Sequence, residues 1–413
     1  MSDESKAGTG GVRQHNLALV LQRIGAAPRS SRAQVAAVTG LSRATVSALV
    51  DDLLAARLIT ELAPERNGRG RPGNPLQLAS RGVAIGVEIN VDYLAACVTG
   101  VDATVLASRT VLRDNRRGRP GPAIAAAGRL AAAVAADVAA QDGPDPPAIR
   151  GIAVALPGIV GEGRLLRAPN LPAWTDRDVA AELARALPGS LVGVQVTLDN
   201  EANFAALAHL AHSGPEQRDF VLVSGEIGVG GGLVLDGELF RGVRGYAGEI
   251  GHVVVDPRGP RCHCGATGCL EQVAGQEALL RGARIASPAD GGSTATGNPN
   301  GAVGELLARA EAGDRRTRST LHDAGVAIGV ALAGVVNVVD VPAVVLGGLY
   351  ARLGAWLAEP IAGELDRRVL SRRWTPTAVH VSPLGAEAAV RGAAESVIAR
   401  ILADPVRYGG VDA

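Results

Sequence analysis

The 413-residue sequence is poor in several residue types. It holds a single lysine, Lys6, and aromatic residues make up only 2% of the chain. Abundant arginine and alanine beside that one lysine indicate a GC-rich genome rather than a function. Cysteine is also scarce, and three of the four cysteines lie between residues 262 and 269. Such clustering indicates a local chemical role for these three side chains.

Two kinds of targeting segment are not found in the sequence. The start of the chain, MSDESKAGTGG, is polar and small and has no apolar core of a secretion signal. We also find no apolar run long and uninterrupted enough to span a bilayer. We therefore expect a cytoplasmic protein with no membrane partner. Because a reducing cytoplasm disfavours disulfides, we expect the clustered cysteines to bind a metal.

Charge is unevenly distributed, although the formal net charge is zero. Residues 1–80 carry ten Lys and Arg against six Asp and Glu, whereas the remainder carries 31 against 35. A basic N-terminal segment on a weakly acidic body is typical of a polyanion-binding module joined to another domain. Ordinary variation of surface charge is the alternative. The chain is long enough for two or three domains.

The first 80 residues predict a helix-turn-helix followed by a wing. QHNLALVLQRIG has apolar residues at helical spacing, and SSRAQVAAVTG opens with a capping-box pair, Ser31 and Gln34. After a tight turn, the amphipathic segment 42–57 begins at Ser42 as its N-cap and is predicted to be the recognition helix. The next stretch, TELAPERNGRGRPGNPLQL, predicts two short strands around a basic loop.

From residue 81 the pattern changes to alternating strands and helices. GVAIGVEINVDYLAACVTGVDATVLASRTV predicts successive strands, and an alanine-rich helix is predicted at 122–141. Further strands are predicted in IRGIAVALPGIV, LVGVQVTLDN, FVLVSGEIGVGGGLVLDG and AVVLGG, with a helix in EANFAALAHLA. Residues 285–303 predict a surface loop. This alternation favours a mixed α/β body.

The segment GEIGHVVVDPRGPRCHCGATGCLEQ, residues 248–272, predicts a metal site. One imidazole and three thiolates complete a tetrahedral zinc sphere without an open position for water, which favours a structural Zn²⁺ over a hydrolytic one. The predicted ligands are His252, Cys262, Cys264 and Cys269. Three free thiols in a loop are the alternative, and we expect His263 to point away. Cys97 is predicted to be a small core residue of a strand.

This segment resembles the ROK family, whose name joins repressors, open reading frames and sugar kinases. Further matches are ALPGIV, APNLPAW, LDNEANFAAL, GVGGGLVLDGELFRGVRGYAGE and NVVDVPAVVLGG. The resemblance covers residues 81–413 and implies a two-lobed, actin-like sugar-kinase fold after the winged helix at 1–80. We expect a small lobe at 81–195, completed by a C-terminal helix near 389–404, and a large lobe with the zinc loop at 196–388.

The resemblance also implies which side chains bind sugar between the lobes. Carboxylates and amides exchange hydrogen bonds with sugar hydroxyls in a desolvated cleft. The implied contacts are Asn170, Asn200, Glu201, Glu249, His252 and Glu271. His252 is expected to bind zinc through one ring nitrogen and to face the sugar with the other. For Glu249 and Glu271 the alternative is solvated loop charge.

Three departures from the kinases of the family favour a lost kinase activity, with no catalytic residue expected. EINVDY at 88–93 lacks the glycines of the kinases' phosphate turn and adds the charge of Asp92. GEIGVGGG at 225–232 places Glu226 where a hydroxyl residue is usual, and its carboxylate opposes a phosphate. Glu201 takes the position of the catalytic Asp, and its extra methylene displaces the base. The alternative is an active or bifunctional ROK kinase that phosphorylates a hexose or amino sugar with ATP.

Together these features predict a sugar-responsive DNA-binding regulator, a repressor of carbohydrate genes. The recognition-helix residues expected to face double-stranded DNA are Ser42, Arg43, Thr45 and Ser47. Arg69 and Arg71 are expected in an adjacent minor groove, with solvated linker arginines as the alternative. A homodimer, or a dimer of dimers, is expected to read a pseudo-palindromic operator. A DNA-binding structural protein without an effector is a third interpretation.

Overall fold

The computed structural model describes residues 4–63, 74–116, 118–141, 148–214, 216–286 and 299–411. The helices in these ranges are α1 (Glu4–Ala26), α2 (Arg32–Thr39), α3 (Arg43–Ala55), α4 (Pro120–Gln141), α5 (Val179–Ala186), α6 (Glu201–His212), α7 (Glu271–Ala274), α8 (Gln276–Gly282), α9 (Pro299–Glu311), α10 (Arg315–Val339), α11 (Gly348–Arg352), α12 (Gly354–Arg368) and α13 (Ala388–Ala403). The strands are β1 (Ile59–Glu61), β2 (Leu76–Leu78), β3 (Gly82–Ile89), β4 (Tyr93–Gly100), β5 (Val105–Leu112), β6 (Gly151–Leu156), β7 (Ile159–Gly161), β8 (Arg164–Arg167), β9 (Val196–Asn200), β10 (Phe220–Gly225), β11 (Val229–Leu235), β12 (Glu238–Phe240), β13 (Ala343–Gly347) and β14 (Ala378–Val381).

The N-terminal domain is a winged helix-turn-helix, as predicted. Helices α1, α2 and α3 pack together, and β1 pairs antiparallel with β2 to form the strands of the wing. The predicted capping box is present, because the Ser31 hydroxyl accepts from the N–H of Gln34, whose side chain accepts from the N–H of Ser31. Ser42 caps α3 by accepting from the N–H of Thr45. Arg69 and Arg71, predicted in the wing loop, lie outside the described residues.

Two mixed sheets form the body and repeat one topology. The first has the order β5-β4-β3-β6-β9, and the second has the order β12-β11-β10-β13-β14. In each sheet the first three strands are antiparallel neighbours, and the last two strands are added in parallel. This duplication produces the predicted two-lobed architecture, with the first sheet in the small lobe and the second in the large lobe.

The predicted boundary between the small and the large lobe is wrong by one strand. The small lobe was expected to end at residue 195, but β9 pairs in parallel with β6 of the first sheet, with Ile152 opposite Val196. A strand belongs to the sheet that satisfies its backbone hydrogen bonds, so the small lobe extends through Asn200. The large lobe then begins beyond β9 rather than at Val196.

Helix α13 joins the N-terminal domain and the small lobe through one hydrophobic core. A single cluster of buried side chains includes Leu21 of α1, Ala84 of β3 and Ile401 of α13. The side-chain amide of Gln22 in α1 also donates to the carbonyl oxygen of Leu402 in α13, at 3.2 Å. The predicted C-terminal helix therefore completes the small lobe and also supports the winged helix.

Two helices correct the expectation that no segment is apolar enough to span a membrane. By length and composition alone, α4 and α10 would be able to cross one, and so would α2 with α3 if that bent pair is taken as one span. Half of each long helix's most apolar window is buried inside the protein. Ala127 and Val134 of α4 pack against the first sheet, and Ile328 of α10 packs with Ile361 of α12. The apolar character of α4 and α10 thus serves the cores of the two lobes.

The loop predicted at 285–303 is shorter than expected. Its last part is helical, because α9 begins at Pro299. Proline is favoured at the first position of a helix, where its missing N–H has no helical partner in any case. Residues 287–298 lie outside the described residues.

Candidate functional site

A cleft with about 50 Å³ of space for the centres of water-sized groups lies between the lobes and gathers all the predicted sugar-binding residues. The first-sheet lobe contributes side chains that follow its strands, and the large lobe contributes the glycine-rich segment and the loop after β12. The predicted residues that line it are Asn170, Asn200, Glu201, Glu249, His252 and Glu271. Residues separated by up to 101 positions are thus brought to one cavity, although each one's role in sugar binding stays a prediction.

Asn200 is fixed by its place at the junction of β9 and α6. Its side-chain oxygen accepts from the N–H of Ala202 at 2.7 Å and so caps α6. Its side-chain nitrogen donates to the carbonyl oxygen of Gly158 at 2.8 Å. An amide has two lone pairs and two N–H hydrogens, so one of each is left for a ligand.

Glu271 reaches the cleft because a glycine faces it. Its Oε2 accepts from the N–H of Val229 at 3.3 Å. A Cβ added at Gly228 would overlap this oxygen and would lie 3.0 Å from Nδ2 of Asn170. The glycine-rich segment therefore lets the chain pass directly beside two of the predicted sugar-binding side chains.

The four predicted metal ligands form one cluster beside the cleft. The donor atoms of His252, Cys262, Cys264 and Cys269 all lie within 4.8 Å of one another. Sγ of Cys264 and Sγ of Cys269 are 3.7 Å apart, and Nδ1 of His252 is 3.8 Å from Sγ of Cys262. With zinc–sulfur bonds of about 2.3 Å, two sulfurs of a tetrahedron are about 3.8 Å apart. The residues can therefore hold a metal ion such as zinc.

His252 also faces the cleft. Its Nδ1 is turned to the cysteines, while its Nε2 lies 3.9 Å from Oε2 of Glu249. The two ring nitrogens thus divide between cluster and cleft in the way predicted. His263 lies outside the cluster, as predicted, with its Nδ1 at 3.4 Å from Oδ1 of Asn170. Cys97 is buried in β4, also as predicted.

The loop that carries the cysteines has few other supports. Two of its large side chains, Val253 and Val254, are exposed, and isolated bridges join Val254 to Cys269 and Arg261 to Thr267. Arg167 of β8 donates to the carbonyl oxygen of Cys264 at 2.9 Å and ties the loop to the small lobe. A metal ion held by the four residues would give such a loop order that its few apolar contacts do not supply.

Three glutamates that the sequence analysis did not place together converge behind the cleft. Glu88, Glu201 and Glu226 line a smaller cavity, with about 10 Å³ for the centre of a water-sized group. Tyr93 donates to Oε1 of Glu88 at 2.6 Å, and Nδ2 of Asn90 lies 3.4 Å from Glu88 Oε1 and 3.5 Å from Glu201 Oε2. The sequence carries no short-range signal for this cluster, because its members follow or end three different strands.

The surroundings of these glutamates favour their neutral forms. Burial raises the pKa of Glu88 to about 7 and that of Glu201 to about 8. The pKa of Glu226 is raised well above its ordinary value, first by burial and then by the charge of Glu201. Asp92 differs from them, because Arg116 forms an ion pair with it. Asp92 therefore adds less repulsion toward a phosphate than the sequence predicted.

The predicted DNA-facing residues lie at the N-terminal end of α3, and they differ in exposure and in their hydrogen bonds. Ser42 and Arg43 are exposed, and Arg43 has no hydrogen bond or ion pair to a residue that the structure describes. Thr45 is half-buried, and its hydroxyl lies 2.8 Å from that of Ser42. Ser47 accepts from Arg32 at 3.1 Å. Among these four residues, Arg43 is thus the side chain with the greatest freedom to contact DNA.

Known proteins match the chain along most of its length. The ROK family profile matches residues 84–400, and the MarR family profile matches residues 14–70. The chain is 26% identical over 400 residues to the xylose repressor of Bacillus subtilis (strain 168), covering 95% of this chain and 97% of that protein. It is 31% identical over 257 residues to the glucokinase of Thermotoga maritima, covering 60% of this chain and 80% of that protein.

Solved structures share the fold. A ROK family transcriptional regulator described as a homologue of the E. coli MLC protein aligns with a TM-score of 0.73 and 24% identity, over 97% of this chain and 98% of that one. A ROK family glucokinase from Streptomyces griseus, in complex with glucose and AMPPNP, aligns with a TM-score of 0.62 and 27% identity, over 76% of this chain and 99% of that one. On its family match, its two lobes and its N-terminal winged helix, the chain belongs to the ROK family.

Proposed function

We propose that this protein is a sugar-responsive DNA-binding repressor of carbohydrate genes in the cytoplasm. The xylose repressor of Bacillus subtilis matches 95% of it, whereas the glucokinase of Thermotoga maritima matches 60% of it. The helix-turn-helix supplies the DNA-binding element, and the interlobe cleft supplies carboxylates and amides for sugar hydroxyls. As a homodimer, or a dimer of dimers, it reads two half-sites of a pseudo-palindromic operator.

The observation that carries this proposal is the position of α13. Ala388 and Ala389 at its start line the cavity of the three glutamates, and Leu402 at its end accepts from Gln22 of the winged helix. One helix therefore connects the ligand-binding region with the DNA-binding domain. A sugar that binds one arrangement of the lobes more tightly shifts the population of α13 positions, and with it the spacing of the two winged helices in the dimer.

The cysteine cluster holds a structural zinc ion in this proposal. Four protein donors fill its coordination, so the ion supplies rigidity and no bound water for hydrolysis. By holding Nδ1 of His252, it orients Nε2 toward the sugar beside Glu249. The contacts proposed for the sugar are Asn170, Asn200, Glu201, Glu249, His252 and Glu271.

Binding of DNA is tested with the exposed arginine of α3. Fluorescence anisotropy with operator fragments selected from genomic DNA is expected to show about 10- to 100-fold weaker binding for Arg43→Ala, the effect of losing a base contact. Arg129→Ala, which removes an exposed arginine of α4, is the control and is expected to bind normally. The same titration with a panel of sugars tests the response. A protein whose DNA affinity no sugar alters would not be the proposed switch.

A second candidate function is sugar phosphorylation, which the similarity to glucokinases favours. We propose that this activity is absent, because Glu88, Glu201 and Glu226 place three carboxyl groups in the region expected to hold phosphates. A coupled assay of ATP consumption with the sugar panel separates the two functions. Turnover that disappears in Glu201→Ala would establish the kinase.

A further inference from the structure

The cavity of the three glutamates adjoins the cleft. Glu201 and Glu226 line both spaces, so a ligand in the cleft can extend a small group past them. The inner cavity leaves about 10 Å³ for the centre of a water-sized group, and its remaining wall consists of Glu88, Ser224 and small residues. Those small residues are Ala205, Gly348, Gly385, Ala386, Ala388 and Ala389. The space therefore admits a compact polar group and excludes a large one.

One oxygen in this cavity lacks a partner. Glu88 is 1% exposed, and its Oε1 accepts from Tyr93, but its Oε2 has no hydrogen-bond partner within the described part of the chain. A buried acceptor without a donor costs about 1–3 kcal/mol. Such oxygens are rare in folded proteins and are usually satisfied by a water or a ligand. The free oxygen of Glu88 thus indicates a missing donor in the cavity.

The charges around the cavity are unbalanced. Glu88 comes from β3, Glu201 from α6 and Glu226 from the turn after β10. No arginine or lysine of the described ranges lines the cavity. Arg352 at the end of α11 lines the adjoining space together with Asp92 and Glu387, and its charge acts on Glu226. Arg116, a further cation near these residues, forms an ion pair with Asp92.

We propose that the effector is an amino sugar with a free, cationic amine, and that its ammonium group enters the cavity between Glu88, Glu201 and Glu226. This inference rests on the proposed sugar-binding function of the cleft. An ammonium group has three N–H donors, one for each of the three carboxyl groups. Its positive charge is the charge that the lining of the cavity lacks. An acetylated amine has neither the charge nor the small size.

The protonation of the glutamates adds a measurable signature. Because burial holds the pKa of Glu88 at about 7 and that of Glu201 at about 8, a fraction of these groups is protonated at pH 7. An entering cation stabilises the ionised forms, so binding of the ammonium group releases protons from the protein. A neutral hexose causes no such release.

The test compares matched sugars by titration calorimetry at pH 7. Glucosamine, galactosamine and mannosamine are each compared with the corresponding hexose and N-acetylated sugar. One of the amines is expected to bind about 10- to 100-fold more tightly than both of its neutral counterparts, the effect of a charge-assisted hydrogen bond. The heat of binding is expected to change with the ionisation enthalpy of the buffer, because protons are released.

Variants locate the amine. Glu226→Gln and Glu88→Gln keep the size of the side chains and remove one charge each, and either one is expected to reduce the preference for the amine to about 2-fold. Glu359→Gln, which changes an exposed residue of α12, is expected to leave it unchanged. If Glu88→Gln does not fold, Glu226→Gln alone decides. An unchanged preference in the folded variants would overturn the inference.

The other outcomes separate this inference from the proposed function. A neutral sugar that binds as tightly as its amine would overturn the inference and leave the proposed function standing. Failure of every sugar to bind would overturn both. Titration with Mg²⁺, Mn²⁺ or K⁺ alone is expected to give no binding. A metal that binds without sugar and is lost in Glu88→Gln would assign the cavity to a metal ion instead.

Discussion

The ligand-binding region, formed by the cleft and the inner cavity behind it, has two walls that are built in different ways. On one wall, Glu249, His252 and Glu271 come from a single segment of 23 residues that also carries the cysteine cluster. On the other wall, Glu88, Glu201 and Glu226 come from both lobes and from residues 138 positions apart. The first wall is local in sequence and carries the residues proposed to hold a metal ion, whereas the second depends on how the two lobes and α13 pack.

The two walls are therefore expected to respond to different perturbations. The cysteine wall is expected to depend on the proposed ion, because its loop buries few apolar side chains of its own. The glutamate wall depends on the hydrophobic core, because packed strands and helices hold carboxyl groups together against their mutual repulsion. Changes aimed at one wall are therefore expected to leave the structure of the other intact.

The largest effect is expected for the cysteine wall. Cys264→Ser removes one of four metal donors, and structural zinc sites in small peptides contribute about 10–16 kcal/mol of apparent binding free energy. The zinc content, measured by plasma mass spectrometry, is expected to fall from one ion per chain to none, with a lower melting temperature. Cys97→Ala is the control and keeps the ion. Zinc retained at full occupancy in Cys264→Ser would contradict the assigned ligands.

The next effect concerns the glutamate wall and pH. The pKa of Glu88 is about 7 in the folded protein, above its ordinary value of 4.5, so the folded state binds more protons than the unfolded state between these values. Stability therefore falls as pH rises from about 5 to 8. The glutamine of Glu88→Gln cannot ionise. Over this pH range, the free energy of unfolding of the variant is therefore expected to fall by about 3 kcal/mol less than that of the wild type.

Chemical denaturation at pH 5 and at pH 8.5 measures this difference. Glu311→Gln, which alters an exposed residue of α9, is expected to keep the wild-type slope. A Glu88→Gln protein with the same pH dependence as the wild type would show that Glu88 is ionised throughout.

A smaller effect is expected when a single ligand contact is removed from the cysteine wall. Glu271→Gln keeps the shape of a buried side chain and removes the charge that accepts from sugar hydroxyls. Titration calorimetry with the effector is expected to show about 10- to 100-fold weaker binding. The zinc content stays at one ion per chain. Equal affinity in Glu271→Gln and the wild type would place the sugar elsewhere.

The smallest effect tests the packing on which the glutamate wall depends. A Cβ at Gly392 of α13 would overlap the carbonyl oxygen of Phe204 in α6, so Gly392→Ala forces these helices apart. We expect a loss of about 1–3 kcal/mol in stability, weaker coupling between sugar and DNA, and an unchanged zinc content. Gly363→Ala is the matched control, since its Cβ meets only the side chain of Arg367. If sugar changed the DNA affinity of Gly392→Ala as much as that of the wild type, α13 would not transmit the effect of the sugar.

Features that depend on residues close together in the chain could be predicted from the sequence. The capping box of Ser31 and Gln34 fixed the start of α2, and the spacing of His252 and the cysteines predicted a cluster that the structure brings together. Features that depend on contacts with residues far away in the chain could not be predicted. The strand β9 joined the small lobe because β6 satisfies its hydrogen bonds, and α4 and α10 owe their apolar length to the cores that they fill.

By itself, the sequence determined the winged helix, the alternation that makes an α/β body, and the set of metal donors. Each of these follows from local backbone preferences or from donor chemistry at short spacing. Only the tertiary structure decided that Glu88, Glu201 and Glu226 share one cavity and that α13 connects it to the DNA-binding domain. The physical reason is that burial and charge repulsion are properties of an assembled interior, which no segment has alone.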